Sequence, residues 1–545
     1  MGSTTVAFPI QRVETGKEIA GTCVQFGFCT SVCPTYVLDG QENDSPRGRI
    51  ALIRTMLEQG GPPTPETVIH LDRCLSCLSC TTTCAAGVNY RELIDTARDY
   101  IEASGVRPWH ERAWRAALAR LLTSPRTLSL GMRMGRPWLS LLASRPGRLG
   151  AMARLGRAPA LRALARRENL TDLQSGIVQA DDAESLAIES GTVPSGAGTG
   201  RPAPAPASAP AATQGRAGLG SASTPPAPYA PSALSTPPAA YAPATTFQPT
   251  QADAATLHRV ALLDGCAQSA LGPEINDATR RLLTRLGVAI VAPPAARADA
   301  CCGALPLHMG RRDQARDMAA YWVDAWGDLL DRQAIDAIVI TTSGCGSVIR
   351  HYAELFDAGD PRHARAQRVA DNTLDISECI AKLAPRPGDA HRGARVAYHD
   401  ACSLKHGQKL TQPPRQVLRQ LGFEVLEPGE SHLCCGSAGT YNLLQPAIAD
   451  RLGERKAANL DATRPDVIVA GNLGCLVQIS RFTPVPIAHW VQLVEWATGG
   501  PAPVGLETFQ PRAVEPEAAS GFAATPAGEP ALADAADPTS PDAFW

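Results

Sequence analysis

Fifteen of the sixteen cysteines in this chain fall into spaced groups, and grouped thiolates are what soft and borderline metals bind. The tightest group, Cys74, Cys77, Cys80 and Cys84, has the spacing C-x2-C-x2-C-x3-C. In a two-cluster ferredoxin, three thiolates of such a run take three corners of one cubane and the fourth crosses to the other cluster. A run of that kind requires a partner. One lies upstream in Cys23, Cys29 and Cys33, followed by Pro34, with Phe26 at the position where the second cysteine belongs. The crossed rule assigns Cys74, Cys77, Cys80 and Cys33 to one site, expected to hold a [4Fe-4S] cluster. It assigns Cys23, Cys29 and Cys84 to the other, which is one ligand short at Phe26. The expectation there is a [3Fe-4S] cluster, or a [4Fe-4S] cluster whose fourth iron is bound by solvent. Structural zinc favours two C-x2–4-C pairs around a loop, and seven cysteines in two ferredoxin-like runs fit that poorly. Cys379 stands alone and reads as a buried structural thiol.

Eight further cysteines form a duplication. "RVALLDGC" ends at Cys266 and "RVAYHDAC" at Cys402; "CCG" begins at Cys301-Cys302 and at Cys434-Cys435; "TTSGC" and "GNLGC" end at Cys345 and Cys475. Equivalent cysteines lie 136, 133 and 130 residues apart, which marks a tandem repeat. Four convergent thiols per repeat make a candidate site for a further metal or cluster, with the repeats facing each other. The glycine of each CCG is expected to let the backbone approach a bulky cofactor. His308, His399, His406 and His432 lie near these motifs, where structural or surface histidines are commoner than ligands or proton carriers.

The elements that must position these residues are legible too. "DSPRGRIALIRTMLEQGG" predicts a helix with Ser45 as N-cap, Pro46 at its first position, Ile50, Ile53 and Leu57 on one face and Gly60 as terminator. "NYRELIDTARDYIEASG" predicts another, with Leu93, Ala97, Tyr100 and Ile101 as its apolar stripe. Arg47 and Arg49 are placed to neutralise anionic clusters, although arginines at a helix start are commonly only solvated. Each repeat alternates β-branched runs with helical stretches, which predicts parallel βαβ units, and ligands of such folds bind at the carboxyl ends of the strands. The fold class is therefore α/β, an N-terminal α-helical two-cluster ferredoxin domain plus tandem duplicated βαβ cysteine-rich domains. The expected organisation is 1–105 ferredoxin-like domain, 106–184 basic helical region, 185–256 linker, 257–385 and 386–500 the two repeats, and 501–545 a tail.

Composition bounds the rest. Between 201 and 250, twelve prolines and fifteen alanines leave too little to bury a core. A net charge of −2 argues against a nucleic-acid partner. Residues 107–167 carry fourteen arginines against the single acid Glu111, read either as solvated helices or as a surface for anionic lipid or an acidic partner. No apolar run of membrane-spanning length and no secretory signal is seen, so the expected location is cytoplasmic, where sixteen cysteines are metal ligands rather than disulfides. "GAGTG" at 196–200 lacks the flanking strand and helix that give a dinucleotide motif its meaning. With no flavin or nicotinamide site of its own, the chain needs a flavin partner.

"CVQFGFCTSVCPTY", "DSPRGRI", "HLDRCLSCLSCTTTC" and the two CCG repeats together resemble the iron–sulfur subunit family of bacterial glycolate oxidase, over about 20–105 and 258–495. The repeats also resemble the cysteine-rich domains of heterodisulfide reductase and anaerobic glycerol-3-phosphate dehydrogenase. The first resemblance implies an electron-transfer subunit that takes electrons from a flavin-containing subunit oxidising glycolate to glyoxylate. It implies delivery to a membrane quinone or similar acceptor, with peripheral contact at the cytoplasmic face of the inner membrane and no substrate-oxidising site in this chain. The seven N-terminal cysteines match the family's ligands one by one, and Phe26 departs from them. The alternatives are a thiol–disulfide reductase of the heterodisulfide reductase type, the electron-transfer subunit of a lactate or glycerol-3-phosphate dehydrogenase, and repeats that serve only as a docking platform. Each repeat here lacks the closing C-x2-C of the heterodisulfide reductase type: Gly346, Ser347 and Val348 follow Cys345, and Leu476, Val477 and Gln478 follow Cys475.

Overall fold

Residues 6–133, 257–292, 300–388 and 391–511, with the backbone of a two-residue strand at Ile177–Val178, are described by the structure, a computed structural model. The linker at 185–256, the glycine run at 196–200, the remainder of the arginine-rich stretch beyond 133 and the tail beyond 511 lie outside the described residues.

The N-terminal unit is helical because its apolar residues recur at helical spacing and its helix ends are capped. The Ser45 hydroxyl accepts from the Gly48 N–H, Pro46 opens the Pro46–Gln59 helix, and Gly60 closes it at a φ of 68°. Asn89 caps the Tyr90–Ser104 helix in the same way, accepting from Glu92 N–H, and Gly105 ends it. Ile50, Ile53 and Leu57 of the first helix and Leu93, Ile94, Ala97 and Ile101 of the second are buried in one core. Each large aliphatic side chain so buried contributes roughly 1.5–3 kcal/mol, which makes this helix pair the frame on which the cysteine loops hang.

The two repeats are parallel sheets. In the first, β1 (Ile177–Val178), β2 (Arg259–Leu263), β3 (Ala289–Val291), β4 (Ala337–Ile340) and β5 (Thr373–Asp375) lie in the order β1-β3-β2-β4-β5. In the second, β6 (Arg395–His399), β7 (Glu424–Leu426), β8 (Val467–Ala470) and β9 (Ile487–His489) lie in the order β7-β6-β8-β9. Val260 pairs with Ala337 and Val396 with Val467, so the sheets repeat in register as well as in order. The central strands are buried along most of their length, as strands covered on both faces must be. In both sheets the chain leaves the first strand toward one edge and returns to the other side of it. The carboxyl ends of β2 and β4, and of β6 and β8, therefore flank a topological switch point, where such folds bind ligands.

Two expectations are corrected here. The arginine-rich stretch begins as a packed element: Arg107 and Arg115 are buried, and both pair with Asp72, at 2.6 and 2.8 Å. Within the Trp109–Leu122 helix, Leu118 and Ala119 pack with Met309 and Leu443 of the repeats, while Trp109, Arg112 and Arg120 on its other side are exposed, so one face of this part belongs to the core. Residues 501–511 likewise do not leave the fold as a tail. Leu506 is buried and the Phe509 ring meets Trp496 edge-on at 5.7 Å.

Candidate metal centres

The two N-terminal cysteine runs fold alike at an offset of 51 residues. Left-handed φ angles fall at Gln25 (60°) and Gly27 (86°) in the first loop and at the matching Ser76 (51°) and Leu78 (60°) in the second. Each loop then enters a short helix, Phe28–Ser31 or Ser79–Thr83. Non-glycine residues in this region cost roughly 1–3 kcal/mol and persist only where the surroundings impose them. The backbone is thus the same whether the central position is Cys77 or Phe26.

Cys33, Cys74, Cys77 and Cys80, the four that the crossed rule groups, line one small cavity together with Arg49 and Tyr90. Thr35 Oγ1 lies 3.3 Å from Cys33 Sγ and Arg49 Nη1 3.7 Å from it. Cys74 Sγ accepts from the Ser76 N–H at 3.4 Å and from the Tyr90 hydroxyl at 3.6 Å. Arg49 is wholly buried; burial opposes its charge, but Cys74, Tyr90, Cys33 and Asp44 outweigh that and raise its pKa. A fixed cation at a thiolate-lined site offsets the negative charge that metal-bound sulfurs bring. Burial first, and then neighbouring thiols, push Cys77 and Cys80 well above the ordinary thiol range, so protons leave these sulfurs as a cation binds. Sequence reasoning placed Arg49 correctly but gave no sign of Tyr90 or of Arg98, whose guanidinium holds the loop through the Cys74 carbonyl at 2.5 Å and the Ser76 hydroxyl at 2.6 Å.

Cys23, Cys29 and Cys84 pack on the edge of the same core. Burial raises Cys29, and Cys23 and Cys84 add to it against the Arg47 backbone N–H. Phe26 takes no part: its side chain is 66% exposed, beside the equally outward Val24 and Phe28.

All eight cysteines of the repeats line one cavity of about 500 Å³, whose wall also includes Cys74 and Leu75 of the N-terminal unit. Cys266 opens the helix after β2, Cys345 lies in the helix after β4, Cys402 follows β6 and Cys475 lies in the helix after β8. The thiols of Cys266, Cys301, Cys302 and Cys345 perturb one another, as do those of Cys402, Cys434, Cys435 and Cys475. The Cys402 and Cys434 sulfurs are 3.8 Å apart. The CCG glycines have a different reason from the one expected. Gly303 and Gly436 have φ of 88° and 87°, and a Cβ on either would meet the backbone carbonyl of Ala315 or Ala449 at 2.9 or 2.5 Å. They admit the helices Arg312–Asp331 and Pro446–Asp461, whose backbone stands where a side chain would point.

The two sets of sites adjoin. Leu75, Cys77, Cys402, Cys434 and Tyr441 belong to one apolar cluster, and the Tyr441 hydroxyl donates to the Arg73 carbonyl at 3.1 Å. Of the four histidines singled out, His406 bonds Thr82 across this junction at 2.8 Å and His308 faces Asp95 at 3.4 Å. His432 is half-buried. His399 is buried beside Cys435 and Cys475. Cys379 is wholly buried, and burial pushes its thiol up to about 12. Buried thiol donors in convergent sets, backed by a buried cation, fit iron–sulfur chemistry.

Fold and sites together define a class, an iron–sulfur protein that joins a two-cluster ferredoxin-type unit to paired cysteine-rich α/β units. The model of the 4Fe-4S dicluster domain family matches residues 22–88, and that of the Cysteine-rich domain family matches 260–350 and 396–480. The glycolate oxidase iron-sulfur subunit of Escherichia coli (strain K12) is 32% identical over 490 residues, 89% of this chain and 96% of that protein. The probable glycolate oxidase iron-sulfur subunit of Bacillus subtilis (strain 168) is 27% identical over 86% of this chain and 90% of its own length. Lactate utilization protein A of Shouchella clausii (strain KSM-K16) is 26% identical over 40% of this chain and 89% of its own. The chain belongs to the glycolate oxidase iron–sulfur subunit family.

Proposed function

We propose that this chain is the electron-transfer subunit of a glycolate-oxidising complex, taking electrons from a flavin-containing subunit and delivering them to a quinone or similar apolar acceptor at the cytoplasmic face of the inner membrane. The observation that carries this reading is the cavity that joins Cys74 to all eight cysteines of the repeats. Cys33, Cys74, Cys77 and Cys80 hold a [4Fe-4S] cluster; Cys23, Cys29 and Cys84 hold a [3Fe-4S] cluster or a [4Fe-4S] cluster with a labile iron; each repeat holds a further metal or cluster through its four cysteines. Iron–sulfur clusters supply one-electron storage at potentials set by charge, hydrogen bonds and solvent access.

The chain's own residues set those conditions. Arg49 balances charge, Tyr90 and the Ser76 N–H hold the Cys74 sulfur, and burial keeps water from Cys80. Val24, Phe26 and Phe28, exposed beside Cys23 and Cys29, give a flavoprotein an apolar contact at the entry side. Leu121, Leu122, Leu128, Met132, Leu443 and Val477 line the far cavity and suit an apolar ring better than an ionic substrate. No helix among the described residues is long and apolar enough to cross a membrane.

The test is anaerobic purification with iron and zinc counted, followed by EPR of the oxidised and reduced protein. A three-iron signal in the oxidised state, lost in Phe26→Cys, is the expected result. An oxidised protein silent at that signal, with eight irons in the N-terminal unit, rejects the three-iron assignment. Mixed with its flavoprotein partner, the chain is expected to be reduced by glycolate; reduction of a disulfide by the chain alone would overturn the reading. The likeness of 40% of this chain to a lactate utilization protein makes lactate the second substrate to assay.

A further inference from the structure

The repeats share four cysteines each, but the residue that closes the first strand differs. Leu263 ends β2 and His399 ends β6, each three positions before the first cysteine of its repeat. His399 is 1% exposed. One of its ring nitrogens and the sulfurs of Cys435 and Cys475 all lie within 4.8 Å of one another. Metal–nitrogen and metal–sulfur bonds of about 2.0–2.3 Å put donors around one ion roughly 3.5–4 Å apart, so little movement closes this trio on a cation.

A second observation points the same way. His399 Nε2 is buried without a hydrogen-bond partner. Buried polar atoms are almost always partnered, and one left alone costs about 1–3 kcal/mol. A cation held between the imidazole and two thiolates removes that cost. Imidazole with thiolate is a donor set for zinc or iron. Cys402 and Cys434 continue the same string of sulfurs, which gives five donors, one more than a single tetrahedral zinc takes.

We infer that His399 is a metal ligand of the second repeat, closing with Cys435 and Cys475 one iron position of a cluster that also draws on Cys402 and Cys434. The first repeat, with Leu263 at the matching place, is ligated by thiolates alone. This rests on the reading of the repeats as iron–sulfur sites. Replacing a neutral imidazole by an anionic thiolate lowers a cluster's potential, so His399→Cys is expected to lower that of the second repeat.

The experiment is pulsed EPR on the anaerobically purified full chain through a redox titration, for the wild type, His399→Leu and His399→Cys, with iron and zinc counted in each. Expected in the wild type is a signal beyond those of the N-terminal unit that carries strong nitrogen coupling from a directly bound imidazole. Both variants lose that coupling, and His399→Cys keeps its iron while its midpoint potential falls. A repeat-derived signal without nitrogen coupling, or coupling that survives in both variants, overturns the assignment. One zinc per chain, lost in His399→Leu, overturns the iron and makes the site a zinc site. Iron sufficient only for the N-terminal unit, with no zinc, removes the reading of the repeats as metal sites and this inference with it.

Discussion

The two repeats have one topology, one strand register and the same four cysteines, yet they surround those cysteines differently. Behind the first CCG stand rings: Trp322 and Trp326 stack at 4.3 Å, Trp322 Nε1 donates to the Cys301 carbonyl at 3.2 Å, and the Tyr352 hydroxyl donates to the Cys302 carbonyl at 2.8 Å. Behind the second stand charges and a histidine. Lys456 is 1% exposed and donates to the Glu430 carbonyl at 2.6 Å, and His399 lies against Cys435 and Cys475. Both repeats have an aspartate, after β2 or β6, paired to an arginine of a later helix, Pro273–Arg285 or Pro413–Gln420. Asp264–Arg280 is part-exposed, whereas Asp400–Arg415 is buried and extended by Lys405 and Glu427. A duplicated backbone fixes where the sulfurs stand; the field they feel comes from residues outside the cysteine motif.

Breaking the aspartate–arginine pairs should show the contrast at its largest. Arg415→Ala leaves Asp400 buried without its main partner and is expected to cost about 3–5 kcal/mol. Arg280→Ala, at a pair that water reaches, is expected to cost about 1 kcal/mol or less. Denaturant unfolding of the two variants checks the difference, and equal losses would mean that the pairs are equivalent after all.

The helix that follows the last strand of each repeat gives a pH test. Asp375 caps the Ile376–Leu383 helix and His489 caps the Trp490–Ala497 helix, each in a capping box. Burial pushes Asp375 up to about 7 against the hydrogen bonds of Ser377. A raised carboxyl supports the fold below its unfolded value near 4, and that support is lost as pH rises through 7. Burial pushes His489 down to about 4; its Nδ1 accepts from the Val491 N–H and its other nitrogen donates to the Thr341 carbonyl, a pattern that only the neutral ring makes. Its support is present above about 6.5 and lost as pH falls through 4. Each effect is on the order of 3 kcal/mol. Asp375→Asn is expected to gain on the wild type in thermal stability at pH 8, and His489→Asn near pH 4.5. Parallel shifts of both variants at both pH values would refute the opposition.

Smaller still is the contrast between the CCG glycines. Gly436→Ala and Gly303→Ala both force a left-handed backbone on alanine, worth about 1–3 kcal/mol. The closer carbonyl at Ala449 than at Ala315 makes the second repeat the more sensitive one, which thermal melts of the two variants would resolve.

Much of the architecture was legible because it is local. The C-x2-C-x2-C-x3-C run and its partner contain their own geometry, since ligand spacing along a loop sets which sulfurs can meet. The capped helix at Ser45–Gly60 follows from side-chain chemistry within a few residues, and the β-branched runs of the repeats from the need to bury both faces of a parallel sheet. Residues whose role depends on a distant element were read less well. Arg107 and Arg115 look like members of a solvated or membrane-facing basic stretch until Asp72 is brought beneath them. The CCG glycines look like cofactor-facing residues until the helices bearing Ala315 and Ala449 arrive.

Cysteine spacing, strand composition and the 136-, 133- and 130-residue offsets are properties of the chain, and they carry its chemical class unaided. Which charges and rings stand behind each sulfur is set by packing between elements far apart in the chain. Arg49 could be placed near the cysteine runs from sequence, but its burial beside Cys33 depends on Thr35, Asp44 and the His70 carbonyl meeting its guanidinium. His399 was one of four histidines near a motif, and it meets Cys435 and Cys475 because β6 and β8 are neighbours in the sheet. The physical reason is common to both: a side chain's solvation and partners are set by what packs against it, and the chain does not encode that by proximity in sequence.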